Sequence, residues 1–239
     1  MDVTERFKTP DYVLLDLDRT LLNTEAAMAD YVALIRQHDA NLSNRLYWAW
    51  RQAEDSNESF DARRFLIEEV VMERVPQSTV DQFDKLFSIP DQVDYSYLND
   101  GAGELLQALD ERQVPHGVLT YGSVEWQTLK LQASGLDALP HIVTQQRAKG
   151  RVLTSWMQPS GEIKLPKKLT DRYKALGGGT LSSVVLVDDK LEALVGLPDG
   201  VTGYWYTDKV ATKSARITTV VGDVELGIVT DLRQILGII

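Results

Sequence analysis

Two carboxylates, Asp16 and Asp18, stand two positions apart at the end of the apolar run Val13-Leu14-Leu15. Like charges this close raise each other's pKa unless a cation neutralises them, so the pair suggests a hard metal such as Mg²⁺. A second acidic pair, Asp188-Asp189, ends the run Val184-Val185-Leu186-Val187. Between them, Thr120 ends His116-Gly117-Val118-Leu119, and Lys149 follows His141-Ile142-Val143-Thr144. Phosphoryl transfer asks for this set: a nucleophile, a general acid/base, a hydroxyl and a lysine for phosphate oxygens, and acidic ligands for Mg²⁺.

The apolar runs read as buried strands of a parallel sheet, near 12–17, 116–120, 141–144 and 183–187. Helical spacing separates them over 101–112, 123–134 and 168–176, with a further helix near 227–236. Additional strands are expected over 202–206 and 217–221, and Arg151–Leu165 carries β character around the turn Gln158-Pro159-Ser160-Gly161. Alternation of strands and helices implies an α/β fold, a Rossmann-like three-layer core with a parallel sheet. Ligands of such sheets bind beyond the carboxyl ends of the strands, where all four groups fall. Residues 26–92 differ: four sets of apolar residues at helical spacing, opened by Asn41, Ser43, Ser59, Asp61 or Ser78 and punctuated by Pro76 and Pro90, predict a small all-helical insertion. The expected organisation is a core of 1–25 and 93–239 with a helical insertion over 26–92.

Composition narrows the partners. The chain has 239 residues, 44% of them hydrophobic and 25% charged, as in globular proteins that dissolve in water. A net charge of −10 argues against nonspecific binding to nucleic acid or an anionic membrane, while a metal can still make one pocket attractive to an anionic substrate. The absence of cysteine excludes thiolate chemistry. The polar start, Met1–Pro10, lacks the apolar core of a signal peptide, and no apolar stretch approaches the ~20 residues of a membrane helix, so a cytoplasmic location is expected. Nothing in the composition specifies an oligomeric state.

In order and spacing these residues resemble the haloacid dehalogenase-like (HAD) superfamily. Its first motif, D-x-D-x-T/V, is matched by Asp16-Leu17-Asp18-Arg19-Thr20, its second by Thr120, its third by Lys149 and its fourth by Asp188-Asp189. The resemblance covers most of the chain, and 26–92 falls where the family carries a helical cap. It implies an Mg²⁺-dependent phosphatase acting on a small phosphorylated molecule, with Asp16 as nucleophile and Asp18 as acid/base. It also implies Mg²⁺ ligation by Asp16, the backbone carbonyl of Asp18 and Asp188 or Asp189. Thr120 and the N–H groups of Tyr121 and Gly122 would meet phosphate oxygens, as a helix N-terminus does. Members without the second aspartate include the dehalogenases, so Asp18 favours phosphate.

Two positions depart from the pattern. Many relatives have glycine where Arg19 stands, and Arg19 either binds substrate or faces solvent. Relatives often show Lys-Pro before a helix, whereas Lys149-Gly150 precedes the stretch with β character, which leaves Lys164, Lys167 and Lys168 as alternatives. A phosphomutase or a non-catalytic binding protein on the same scaffold are the competing readings. Receiver domains use similar groups in the reverse order. Within 26–92, Tyr47, Trp48, Arg51, Arg63 and Arg64 could meet a substrate, while Trp50 suits the core; Trp156 and Trp205 either line a pocket or pack. Gly101-Ala102-Gly103 and Gly177-Gly178-Gly179 lack the rest of a nucleotide-binding motif, and three scattered histidines make a poor zinc site.

Overall fold

The computed structural model describes residues 9–56, 58–87, 97–173, 176, 179–207, 217–221 and 224–239. The boundary expected at 92/93, Pro90 and most of the Gly177–Gly179 run lie outside them, as does most of Met1–Pro10. The chain divides into two compact units, one of residues 1–22, 98–121 and 139–239, the other of 23–97 and 122–138.

The first unit is built on a seven-stranded sheet. Its strands are β1 (Tyr12–Leu15), β2 (His116–Tyr121), β3 (His141–Thr144), β4 (Val184–Asp188), β5 (Val201–Tyr206), β6 (Ile217–Val221) and β7 (Val224–Val229), in the order β3-β2-β1-β4-β5-β7-β6. Six run parallel; β6 alone pairs antiparallel, with β7. Every residue of β1 and β4 is buried, as a strand covered on both faces requires. The chain leaves β1 toward β2 on one side and returns to β4 on the other, so the switch point of the sheet lies at the carboxyl ends of β1 and β4. The core on one face gathers Tyr12, Leu14, Leu119, Val184 and Leu186 with Leu153, Leu165 and Leu169 of the following segments.

Among the described residues the second unit is helical, beginning with α1 (Thr24–His38), α2 (Ala40–Asp55), α3 (Ala62–Val71) and α4 (Gln77–Phe87). Asp39 ends α1 and caps α2, accepting the Asn41 and Leu42 N–H groups at 2.9 Å. Asp61 caps α3 through the Arg64 N–H, and α4 starts directly after Pro76. Thus Asp39, not Asn41 or Ser43, opens the second helix, because its carboxylate satisfies two orphan donors at once. After α5 (Ala102–Glu111), which belongs to the first unit, α6 (Val124–Ala133) groups with these helices. The Trp126 ring of α6 lies 5.3 Å from that of Tyr31 and 5.7 Å from that of Phe87. Residues 122–138, read from sequence as part of the core, therefore pack with the helical unit.

Two stretches differ from the sequence expectation. Residues 149–155 form a helix, α7 (Lys149–Ser155), instead of the first arm of a hairpin. Its Leu153 is fully buried in the core, and Gly150 lets the helix approach another segment: a Cβ there would strike the Val195 carbonyl oxygen and the Gly196 backbone. Only the turn at 158–161 persists, closed by a Met157–Ile163 bridge, before the short helix α8 (Lys167–Thr170). The helix expected near 227–236 is the strand β7 followed by a 3₁₀ turn, Leu232–Gly237, opened by a capping box from Asp231 and Gln234. The β5 and β6 partners turn the Val224–Val229 segment into a strand.

Candidate active site

Asp16 is the first residue beyond β1, and its N–H still bonds the Val187 carbonyl across the ladder at 2.9 Å. Asp188 is the last residue of the neighbouring β4, so strand pairing alone brings the two carboxylates together. Lys149 opens α7, and its Nζ donates to Asp16 Oδ1 and, at 2.5 Å, to Asp188 Oδ2. All three side chains are buried. Lys164, Lys167 and Lys168 are exposed.

A buried charge is costly unless paired, and here one buried lysine faces three clustered acids. Ligand oxygens of Asp16, Asp188 and Asp189 all lie within 4.8 Å of one another. Burial opposes the charge of Lys149, but Asp16 and Asp188 outweigh it and hold the ammonium above its ordinary pKa. Asp16 is pushed well up, first by burial and then by Asp188, Asp189 and Asp18, against the pull of Lys149. Burial and then Asp188 raise Asp189 to about 7, and Arg19 is among the cations that oppose the shift. The cluster carries more negative charge than its lysine balances, which suits a divalent cation.

The two adjacent acids are used differently. Asp188 commits both oxygens, Oδ2 to Lys149 and Oδ1 to the Lys190 N–H at 2.8 Å. Among the described residues, no protein hydrogen bond reaches the Asp189 carboxylate; its carbonyl is held by the Trp205 indole N–H at 2.9 Å. Trp205 thus fixes the turn that presents Asp189, a role its sequence context did not reveal.

Thr120 sits in β2, beside β1, fully buried, and among the described residues its Oγ1 has no hydrogen-bond partner. A buried hydroxyl without a partner is destabilising, so this one fits an oxyanion that would supply an acceptor. Tyr121 follows, half-buried, with the Arg147 guanidinium 5.4 Å from its ring centre. Gly122, whose φ is 146°, precedes the α6 cap Ser123, and a Cβ on it would strike Gln127. Asp18 and Arg19 lie in the tight turn after Asp16, both half-buried. Arg19 takes a positive φ of 61°, a conformation that costs a side-chain-bearing residue about 1–2 kcal/mol and explains the glycine preference there.

In the helical unit, Trp50 is buried, as expected of core. Arg51, Arg63 and Arg64 pair with Glu54, Asp84 and Glu68, whereas Tyr47 and Trp48 are exposed.

No protein-family model and no curated protein matches the chain. Solved structures do. A haloacid dehalogenase-like hydrolase of Burkholderia xenovorans superposes with a TM-score of 0.56 at 20% identity, over 82% of this chain and 84% of that one. The HAD-hydrolase YfnB of Bacillus subtilis, bound to magnesium, does so with a TM-score of 0.50 at 18% identity, over 97% and 99%. The chain has the haloacid dehalogenase-like fold. In this HAD-like fold the four sequence motifs stand at one edge of the sheet, three of them tied together through Lys149.

Proposed function

We propose that the chain is an Mg²⁺-dependent phosphatase that hydrolyses a small-molecule phosphomonoester through an aspartyl-phosphate on Asp16. The observation that carries this reading is the Lys149 bridge between Asp16 and Asp188, with Asp189 in reach of both. Asp16, the carbonyl of Asp18 and Asp189 would hold the metal, and Asp188 would orient Lys149. The magnesium reported in the YfnB structure supports that choice of ion. When bound, Mg²⁺ would reduce the repulsion between an anionic nucleophile and an anionic phosphate.

The chain's own groups then divide the work. An Asp16 oxygen attacks phosphorus in line, and the bond to the leaving oxygen breaks as Asp18 gives that oxygen its proton. Asp18 next takes a proton from a water that attacks the phosphorus, releasing phosphate and restoring the Asp16 carboxylate. Lys149 and the Thr120 hydroxyl face the charge on the transferring group, with the N–H groups of Tyr121 and Gly122 following in the chain. Asp18 favours ester hydrolysis over dehalogenation, because a halide leaves without a proton.

The test is phosphate release from a panel of sugar, nucleotide and small organic phosphates with Mg²⁺. Asp16→Asn is expected to lower release at least about 10³-fold. No release from any ester, or equal release by the variant, would overturn the reading.

A further inference from the structure

The turn that carries Asp18 is held by a residue far away in sequence. Residues 17–22 close on themselves, the Arg19 N–H donating to the Leu22 carbonyl at 2.9 Å and the Leu22 N–H to the Leu17 carbonyl at 2.8 Å. Asn99 Nδ2 donates to three further-facing carbonyls of this turn, those of Arg19 (2.9 Å), Thr20 (2.8 Å) and Leu22 (3.4 Å). The Asn99 backbone N–H adds a bond to the Leu21 carbonyl at 2.8 Å. One residue therefore meets four consecutive carbonyls beside the acid.

Asn99 is itself well anchored. Leu98 bridges Leu22, and the Asn99 carbonyl accepts the N–H of Ala102 as α5 begins. Next to it, Asp100 is gripped by Arg233 at 2.7 Å. All three side-chain partners are acceptors, so only a donor serves; an aspartate there would set a carboxylate against three carbonyl oxygens. Arg19, whose carbonyl Asn99 meets, holds a left-handed conformation without glycine.

We propose that Asn99 is the positioning residue for Asp18: its amide locks the turn so that the Asp18 carboxyl stays where it passes its proton to the leaving oxygen. This rests on the phosphatase reading above. A loosened turn costs proton transfer first, since general acid catalysis depends on placement within hydrogen-bond reach. The loss must then grow with the basicity of the leaving group.

The probes are p-nitrophenyl phosphate, whose leaving group needs little protonation, and phenyl phosphate, whose leaving group needs more. Asn99→Asp and Asn99→Ala are expected to lower kcat on phenyl phosphate by about 10- to 100-fold and on p-nitrophenyl phosphate by less than about threefold, with KM little changed. Amide hydrogen exchange at Arg19 and Leu22 should accelerate at least about tenfold in both variants, while β1 and β4 amides keep their protection. Equal losses on both esters, or unchanged exchange in the turn, would sink the proposal. If the wild type releases phosphate from no ester of the panel above, the phosphatase reading falls and the catalytic role of Asn99 with it; exchange then still decides whether Asn99 holds the turn.

Discussion

At the level of single residues, the site turns on an imbalance of charge. Lys149 serves two carboxylates while a third, that of Asp189, accepts no protein hydrogen bond among the described residues. Metal ligands must be deprotonated, so Mg²⁺ affinity should rise with pH until Asp189, held at about 7, is ionised. Calorimetric titration of Mg²⁺ on either side of that pH checks this, and Asp189→Asn should abolish most of the binding. Lys149→Met should instead leave metal binding largely intact while stopping phosphate release. Trp205→Phe removes the hydrogen bond on the Asp189 carbonyl and should weaken Mg²⁺ by about 10-fold, the usual size of a loss when an orienting partner of a ligand is removed. The acids were legible in the sequence because charge directly after an unbroken apolar run has one reasonable place to go; Lys149 was less so, since four residues separate it from its strand and Lys164, Lys167 and Lys168 competed with it. Which of Asp188 and Asp189 serves the lysine was not, since both end the same strand and only the position of Lys149 separates them.

At the level of elements, the unusual Lys149-Gly150 pair is explained by helix α7. The glycine brings the helix onto the Val195–Gly196 backbone, which cannot swing aside as a side chain would. Gly150→Ala should therefore destabilise by about 1–3 kcal/mol, read by denaturant unfolding, and should lower activity by displacing the lysine one residue away. The β-branched Val152 and Thr154 made this stretch look like a strand, and seven residues offer too little periodicity to say otherwise. Tertiary contact decided it. Asn99 was invisible for a related reason: Asn99-Asp100-Gly101 before a helix reads as an ordinary turn, and nothing local records the carbonyls it meets about eighty positions away.

At the level of the whole molecule, the same acidic cluster should make stability depend on pH and metal together. Asp16 and Asp189 have raised pKa values in the folded state, so the folded protein binds more protons than the unfolded chain. Their contribution is full below the ordinary carboxylate range and fades as pH climbs to about 7 and beyond. Buried His116, whose pKa is lowered chiefly by burial, acts in the opposite sense, but it is not among the acids that could hold Mg²⁺. The difference in Tm between Mg²⁺-loaded and metal-free protein should thus widen from about pH 5 to about pH 8, as differential scanning calorimetry would show. The sheet and the all-helical insertion were legible because period 2 and period 3.6 are strong signals over long segments. The grouping of 122–138 with the helices was not, since it follows from Trp126 stacking on Phe87.

The sheet also keeps two kinds of work at opposite ends of its strands. The acids and the lysine gather where β1 and β4 finish. Where they begin, Asp11 binds the Ser182 and Ser183 N–H groups, and Tyr12 donates to the Leu169 carbonyl at 2.8 Å. A directed-evolution campaign can exploit this separation. Libraries drawn around Asp11, Tyr12 and His116 should yield variants that change heat tolerance and expression while turnover stays constant, whereas libraries around Asp16 and Asp188 should change turnover and, through the charge cluster, stability together, so heat tolerance is best improved first at the ends where the strands begin.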